Sequence, residues 1–174
     1  MYVVGGEYSF STLVGVAMVW KNGVPTALSS GQQDATATQV AISGTDVLIA
    51  GVREPFVGSG TEESVLWKNG IMNSLSNGRS GWASQLVVSH GDVYVAGIHD
   101  DRRANYWKNG QEVFLNDGTN IAYVNGLLVS GSDVYGVGEE FVNDHAVGRI
   151  WKNGTPISLD NVNNDVYLYR MVIR

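Results

Sequence analysis

The chain contains no cysteine, which excludes disulfides, thiolate metal sites and cysteine nucleophiles and leaves the redox compartment unmarked. Proline is scarce, with 3 residues against 22 glycines, a balance that suits many tight turns between short strands. Basic residues are few as well: 11 Lys and Arg stand against 17 Asp and Glu, for a net charge of −6. Such a chain is a poor match for nucleic-acid phosphates or an anionic membrane surface. No apolar run reaches the ~18–20 residues needed to cross a bilayer, so membrane insertion is not expected. The opening residues Met1-Tyr2-Val3-Val4-Gly5-Gly6 have no basic segment and no long apolar stretch, so no signal peptide is read here. Enzyme signatures are missing too. There is no Gly-x-Ser-x-Gly elbow, no phosphate-binding Gly-Lys-Ser/Thr and no His-Glu-x-x-His.

What the chain does have is repetition. The tetrad Trp-Lys-Asn-Gly begins at Trp20, Trp67, Trp107 and Trp151, at intervals of 47, 40 and 44 residues. Counted from Trp151 through Arg174 to Met1 and on to Trp20, the remaining interval is 43 residues. The chain therefore holds a whole number of repeats, as a closed ring would require. A leucine follows each tetrad in register, at Leu28, Leu75, Leu115 and Leu159. A second phrase runs from Asp46 to Gly51, from Asp92 to Gly97 and from Asp133 to Gly138, with a headless copy at Tyr2-Val3-Val4-Gly5.

Each repeat reads as four strands. Strand a is a run such as Gln85-Leu86-Val87-Val88-Ser89, and strand b is the Asp-Val-Tyr-Val-Ala-Gly phrase. Strand c ends at the tetrad Trp, and strand d carries the leucine. Asn-Gly supplies the positive φ angles of a two-residue c–d hairpin. Antiparallel four-stranded units of ~40–45 residues joined by a longer d–a crossover are the pattern of a β-propeller. The fold class expected is therefore all-β, a single propeller domain of 174 residues. Its blades fall at about 1–29 plus 165–174, 36–76, 83–116 and 122–160. The last strand, Tyr169 to Arg174, aligns with Thr38 to Ser43 and would be the innermost strand of the first blade, closing the ring. A monomer is expected, because closure within one chain carries no concentration penalty. A strand-exchanged dimer with eight blades is the alternative.

The Asp-Val-Tyr-Val-Ala-Gly and Tyr-Trp-Lys-Asn-Gly phrases with their register leucine resemble bacterial β-propeller-like repeat proteins over essentially the whole chain. Those proteins are mostly exported, and the resemblance implies the fold rather than an activity. Strand order and turn placement are also similar to NHL-type propellers. Gly51, Gly97 and Gly138 stand where those often carry an Asp, so no NHL partner is implied.

Nearly all length variation between repeats lies in the b–c connections, Glu7 to Gly15, Val52 to Glu63, Ile98 to Arg103 and Glu139 to Val147. Variable loops on a regular scaffold usually carry function, so the face bearing the b–c and d–a loops is the candidate binding face. Inner strands begin there at Gln39, Gln85, Gly126 and Arg170, preceded by Thr38, Ser84, Asn125 and Tyr169. Two amides, a guanidinium and an asparagine around one axis could hold a carboxylate or sugar hydroxyls, or simply order water. Aromatics on this face are Tyr8, Phe10, Phe56, Trp82, Tyr123 and Phe141. Trp82 stands outside the repeat pattern and suits either stacking on a sugar ring or sealing a gap between blades. The tetrad tryptophans read as blade-to-blade packing and the tetrad lysines as solvation of the hairpin ends. His90, His99 and His145 have no metal-ligand spacing, and neither metal, cofactor nor catalytic residue is assigned.

The leading expectation is a non-catalytic binding or scaffolding module for a glycan or a protein. The alternative is an enzyme acting on polysaccharide through two loop acids among Glu54, Glu62, Asp100, Glu140 and Asp144, one with a raised pKa. A start one position past the expected strand-b Asp leaves a third reading, a propeller fragment or engineered piece without retained activity.

Overall fold

The computed structural model describes residues 1–55, 60–99, 102–159 and 164–174. Among them are fifteen strands and no helix. The first sheet has three strands, β1 (Tyr2–Ser9), β2 (Val14–Lys21) and β3 (Val24–Ala27). The second has four, β4 (Ala35–Ser43), β5 (Asp46–Arg53), β6 (Glu63–Lys68) and β7 (Ile71–Ser74). The third contains β8 (Gly81–Ser89), β9 (Asp92–His99), β10 (Ala104–Lys108) and β11 (Gln111–Phe114). The fourth contains β12 (Ala122–Ser130), β13 (Asp133–Val142), β14 (His145–Lys152) and β15 (Thr155–Ser158). The pairings are antiparallel between consecutive strands, in the order a-b-c-d expected from the repeat in the second to fourth sheets and b-c-d in the first.

The turns follow from their residues. Asn22-Gly23, Asn69-Gly70, Asn109-Gly110 and Asn153-Gly154 all take positive φ, the conformation a two-residue hairpin needs to match the twist of its strands. The asparagine also joins the two sequence phrases. Asn109 Oδ1 accepts from Val93 N–H at 2.9 Å while its Nδ2 donates to Asp92 at 2.8 Å. Asn69 does the same with Val47 and Asp46, and Asn153 with Val134 and Asp133. The tetrad lysines complete the cluster: Lys68, Lys108 and Lys152 pair with Asp46, Asp92 and Asp133 at 2.7, 2.8 and 2.7 Å. They are tied to the strand-b aspartates, rather than only solvating the hairpin tips.

Between sheets the tetrad tryptophans form the core. Trp67 packs with Val4, Ala17, Val19 and Leu28 of the first sheet, and its Nε1–H donates to the Leu28 carbonyl at 3.1 Å. Trp107 packs with Leu48, Ala50 and Leu75, and Trp151 with Tyr94, Ala96, Tyr106 and Leu115. Leu28, Leu75 and Leu115 thus each meet the next sheet's tryptophan.

Two features differ from expectation. Strands b and c run further than the sequence suggested, so the b–c connections are shorter. Glu139 to Val142 and His145 to Val147 are strand, joined by Asn143-Asp144, both at positive φ. An Asn-Asp pair can adopt that conformation without glycine. The second difference concerns residues 165–174. They carry no strand, and among the described residues β1 pairs with β2 alone, so the expected pairing of this segment with the first sheet is not seen.

The segment instead runs beside the fourth sheet, in the lane that β4 and β8 occupy beside their predecessors. Ala146 N–H donates to Asp165 Oδ1 as Gly15 N–H does to Asp34 Oδ1. Asn125 Nδ2 donates to the Leu168 carbonyl as Ser84 Oγ does to the Val124 carbonyl, at 3.0 and 2.8 Å. Asp165 therefore corresponds to Asp34, and Met171 to Val40.

Candidate functional site

The face carrying the b–c and d–a connections is built on one local irregularity. Each inner strand has a β-bulge, between Ala37 and Gln39, Ala83 and Gln85, and Val124 and Gly126. The extra residues are Thr38, Ser84 and Asn125. Bulges bend a strand and re-aim its side chains, and here they spend polar groups on the scaffold. Thr38 Oγ1 donates to the Ala50 carbonyl at 3.2 Å. Gln85 Oε1 accepts from Leu127 N–H in the next sheet at 2.6 Å.

Asn125 is similarly committed, to the Leu168 carbonyl and to Glu139 Oε2 at 2.7 Å. The amides expected at the channel mouth are thus largely ties between neighbouring strands. Gln39 is half-buried just past its bulge, and Arg170 and Tyr169 are exposed in the last segment. Gly126 breaks the Gln series because a Cβ there would lie 2.6 Å from the Tyr169 carbonyl.

Just before each bulge stands a different series. Thr36, Trp82 and Tyr123 pair with Val52, Ile98 and Glu139, the residues that follow the strand-b glycines. By the Asp34–Asp165 correspondence, Tyr167 is the fourth member. Trp82 is 45% exposed, Tyr123 39% and Tyr167 47%. Trp82 is therefore a β8 residue inside the repeat pattern, rather than a crossover residue outside it. Tyr123 meets Phe141 edge to face at 5.8 Å, much as Tyr8 meets Phe10 at 5.7 Å. Phe56, Asp100 and Asp101 lie outside the described residues.

Acids on this face have distinct environments. Burial pushes Glu139 above its ordinary carboxyl range, against the Asn125 hydrogen bond that lowers it. Partial burial, then the neighbouring carboxylates Glu54 and Asp34, push Glu62 up. Glu62 lines a 120 Å³ hollow with Ser80, Gly81, Trp82, Ile98 and His99. Glu140, expected as a loop acid, sits in β13 and is paired with Arg149 at 2.7 Å.

The histidines do not converge. His99 is a buried β9 residue rather than a loop residue, with Nε2 2.9 Å from Glu112 Oε1 but out of line for a hydrogen bond. His145 lies at the surface beside Asp165, and His90 forms an a–b turn. Among the described residues no three His, Asp or Glu side chains are placed to hold a metal ion.

One arrangement was not anticipated from the sequence. The seventh residue after each strand-b Asp is Arg53, His99 or Glu140, and each meets an opposite partner, Glu63, Glu112 or Arg149. Ser74 and Gly78 N–H also bind Glu63. These pairs brace the strand ends beneath the candidate face. The recurring polar residue at that register was the available signal, as the alignment of 165–174 with 34–43 was for Tyr167. No protein-family model matches the chain, and none of the curated proteins matches its sequence.

Proposed function

We propose that the four sheets are β-propeller blades and that the chain is a non-catalytic binding module for a neutral polysaccharide. The observation that supports this reading is the aromatic series Trp82, Tyr123 and Tyr167, half-exposed at equivalent positions of three successive inner lanes. Aromatic faces stack on the apolar faces of pyranose rings, and a series on neighbouring lanes offers successive sugars of one chain repeated platforms. The paired acids and the net charge of −6 favour an uncharged polymer over an anionic one.

Affinity electrophoresis in gels containing soluble neutral glucans, mannans or xylans tests the reading. Retardation by at least one polymer is expected, with Trp82→Ala and Tyr123→Ala each weakening it about tenfold, the order of an aromatic contact. Absence of retardation in every gel, or retardation that both variants leave unchanged, overturns it.

A second reading, hydrolysis of the same polymer, has one observation in its favour: Glu62, a carboxyl with raised pKa, shares a hollow with Trp82. Reducing ends released from the retained polymer by the unaltered chain, and not by Glu62→Gln, would support it.

A further inference from the structure

Three junctions inside the chain show what one sheet requires of its neighbour. The later sheet supplies a tryptophan and an inner strand; the earlier one supplies a leucine and small apolar residues. The two halves of a fourth junction are present and uncovered. On the first sheet, Val3 is 47% exposed where its equivalents Ile49 and Val95 are 1%, and Trp20 is only half-buried. On the fourth, Leu159 is 40% exposed where Leu75 and Leu115 are 5% and 1%.

Gly5 points the same way. Gly97 is required because a Cβ would lie 2.5 Å from the Trp82 carbonyl of the adjoining inner strand, and Gly51 and Gly138 face the Thr36 and Tyr123 carbonyls likewise. A Cβ at Gly5 meets only Trp20 ring carbons, at 3.5 and 3.9 Å. The first sheet thus keeps the glycine of a strand b that adjoins an inner strand, and has no inner strand. Residues 165–174 lie in an inner-strand lane and have no strand b.

We infer that these two half-junctions form one interface between two copies of this chain. Residues 165–174 and the fourth sheet of each copy seat against β1–β3 of the other, making a two-fold symmetric ring of eight sheets. The inference rests on the reading of the sheets as blades. A second copy is favoured over closure within one chain because both halves stay uncovered although they share a chain. Three interdigitated junctions set how each sheet stacks on the last, and close-packed cores do not deform continuously. Closing four sheets on themselves would shift these junctions, whereas a second copy offers each uncovered half the facing half it lacks. The contact is head-to-tail, each copy giving and receiving one strand, and the two-copy ring is the smallest assembly in which a second chain covers both halves.

The correspondences place Met171 of one copy opposite Val3 of the other, as Val40 is opposite Ile49. Because the chain has no cysteine, Val3→Cys with Met171→Cys introduces a single possible pairing across this contact. Light scattering on the unaltered chain is expected to give twice 18.7 kDa. The oxidised double variant is expected to run as a covalent dimer on a non-reducing denaturing gel. Gly5→Ala, whose methyl would meet the incoming Tyr167 carbonyl, is expected to give the single-chain mass with its β-sheet spectrum intact.

A single-chain mass with an internal Val3–Met171 crosslink overturns the two-copy ring and leaves the blades standing. A single-chain mass with no crosslink overturns both. A dimer that does not crosslink, or one that Gly5→Ala leaves intact, overturns the interface.

Discussion

Each asparagine of the Trp-Lys-Asn-Gly turns combines a backbone and a side-chain role. Its positive φ lets the hairpin close, and the side chains of Asn69, Asn109 and Asn153 reach back to the Asp and Val that open strand b. That geometry explains why the two phrases travel together through the sequence. The lysine hydrogen bond first, and then the asparagine, hold Asp46, Asp92 and Asp133 below the ordinary carboxyl value of 3.8. A carboxyl with a depressed folded pKa contributes stability that is present above its unfolded value and lost as pH falls through the folded one. The triple variant Asp46→Asn, Asp92→Asn, Asp133→Asn is therefore expected to melt below the unaltered chain at pH 7. The gap is small, because exposed pairs are screened by solvent, and it closes as the pH falls through the depressed folded values. A gap that persists unchanged into acid would refute the assignment. The pairing of phrases was visible in the sequence at this scale. The Asp–Lys bond was not, because a repeated exposed lysine looks the same whether it is bonded or solvated.

Strands and turns are the elements, and one contact between them makes a specific demand. Where an inner strand bulges, its carbonyl leans onto the strand-b glycine, so Gly97 has no room for a methyl group. Gly97→Ala is expected to destabilise the fold by about 1–3 kcal/mol, the usual cost of overpacking. Gly5→Ala in the single-copy state is expected to cost less than about 1 kcal/mol, since ordinary strands prefer alanine to glycine. Urea titrations of the two variants compare them directly, and equal costs would contradict the bulge argument. The glycines were legible as part of a phrase, but their cause was not. A bulge is a register property of two strands, and neither strand's sequence announces it. The same limit applies to Asn143-Asp144, whose positive φ turned an expected loop from Glu139 to Val147 into a hairpin.

For the whole molecule, stability resides in the junctions, and each sheet contacts mainly its neighbours, as in repeat architectures. Trp107 fills the second junction with Leu48, Ala50, Leu75 and Leu86. Its replacement by alanine is expected to cost about 3–5 kcal/mol. Trp20→Ala is expected to cost less than half as much in the single-copy state, where that residue lacks a facing sheet. Chemical denaturation of both variants at low protein concentration checks this, and equal losses would mean that Trp20 is already covered.

The sequence by itself determined the all-β class, the fifteen strands' order within repeats and the hairpin turns. Each of these is encoded locally, by alternating apolar residues and by Asn-Gly dihedrals. Only the tertiary structure decided that the inner-strand amides tie neighbours together and that His99 is buried. It alone also gave Trp82, Tyr123 and Tyr167 one equivalent exposed position and left Val3, Trp20 and Leu159 uncovered. These outcomes depend on how sheets stack, and stacking brings together residues about 40 positions apart whose local sequences carry no record of one another.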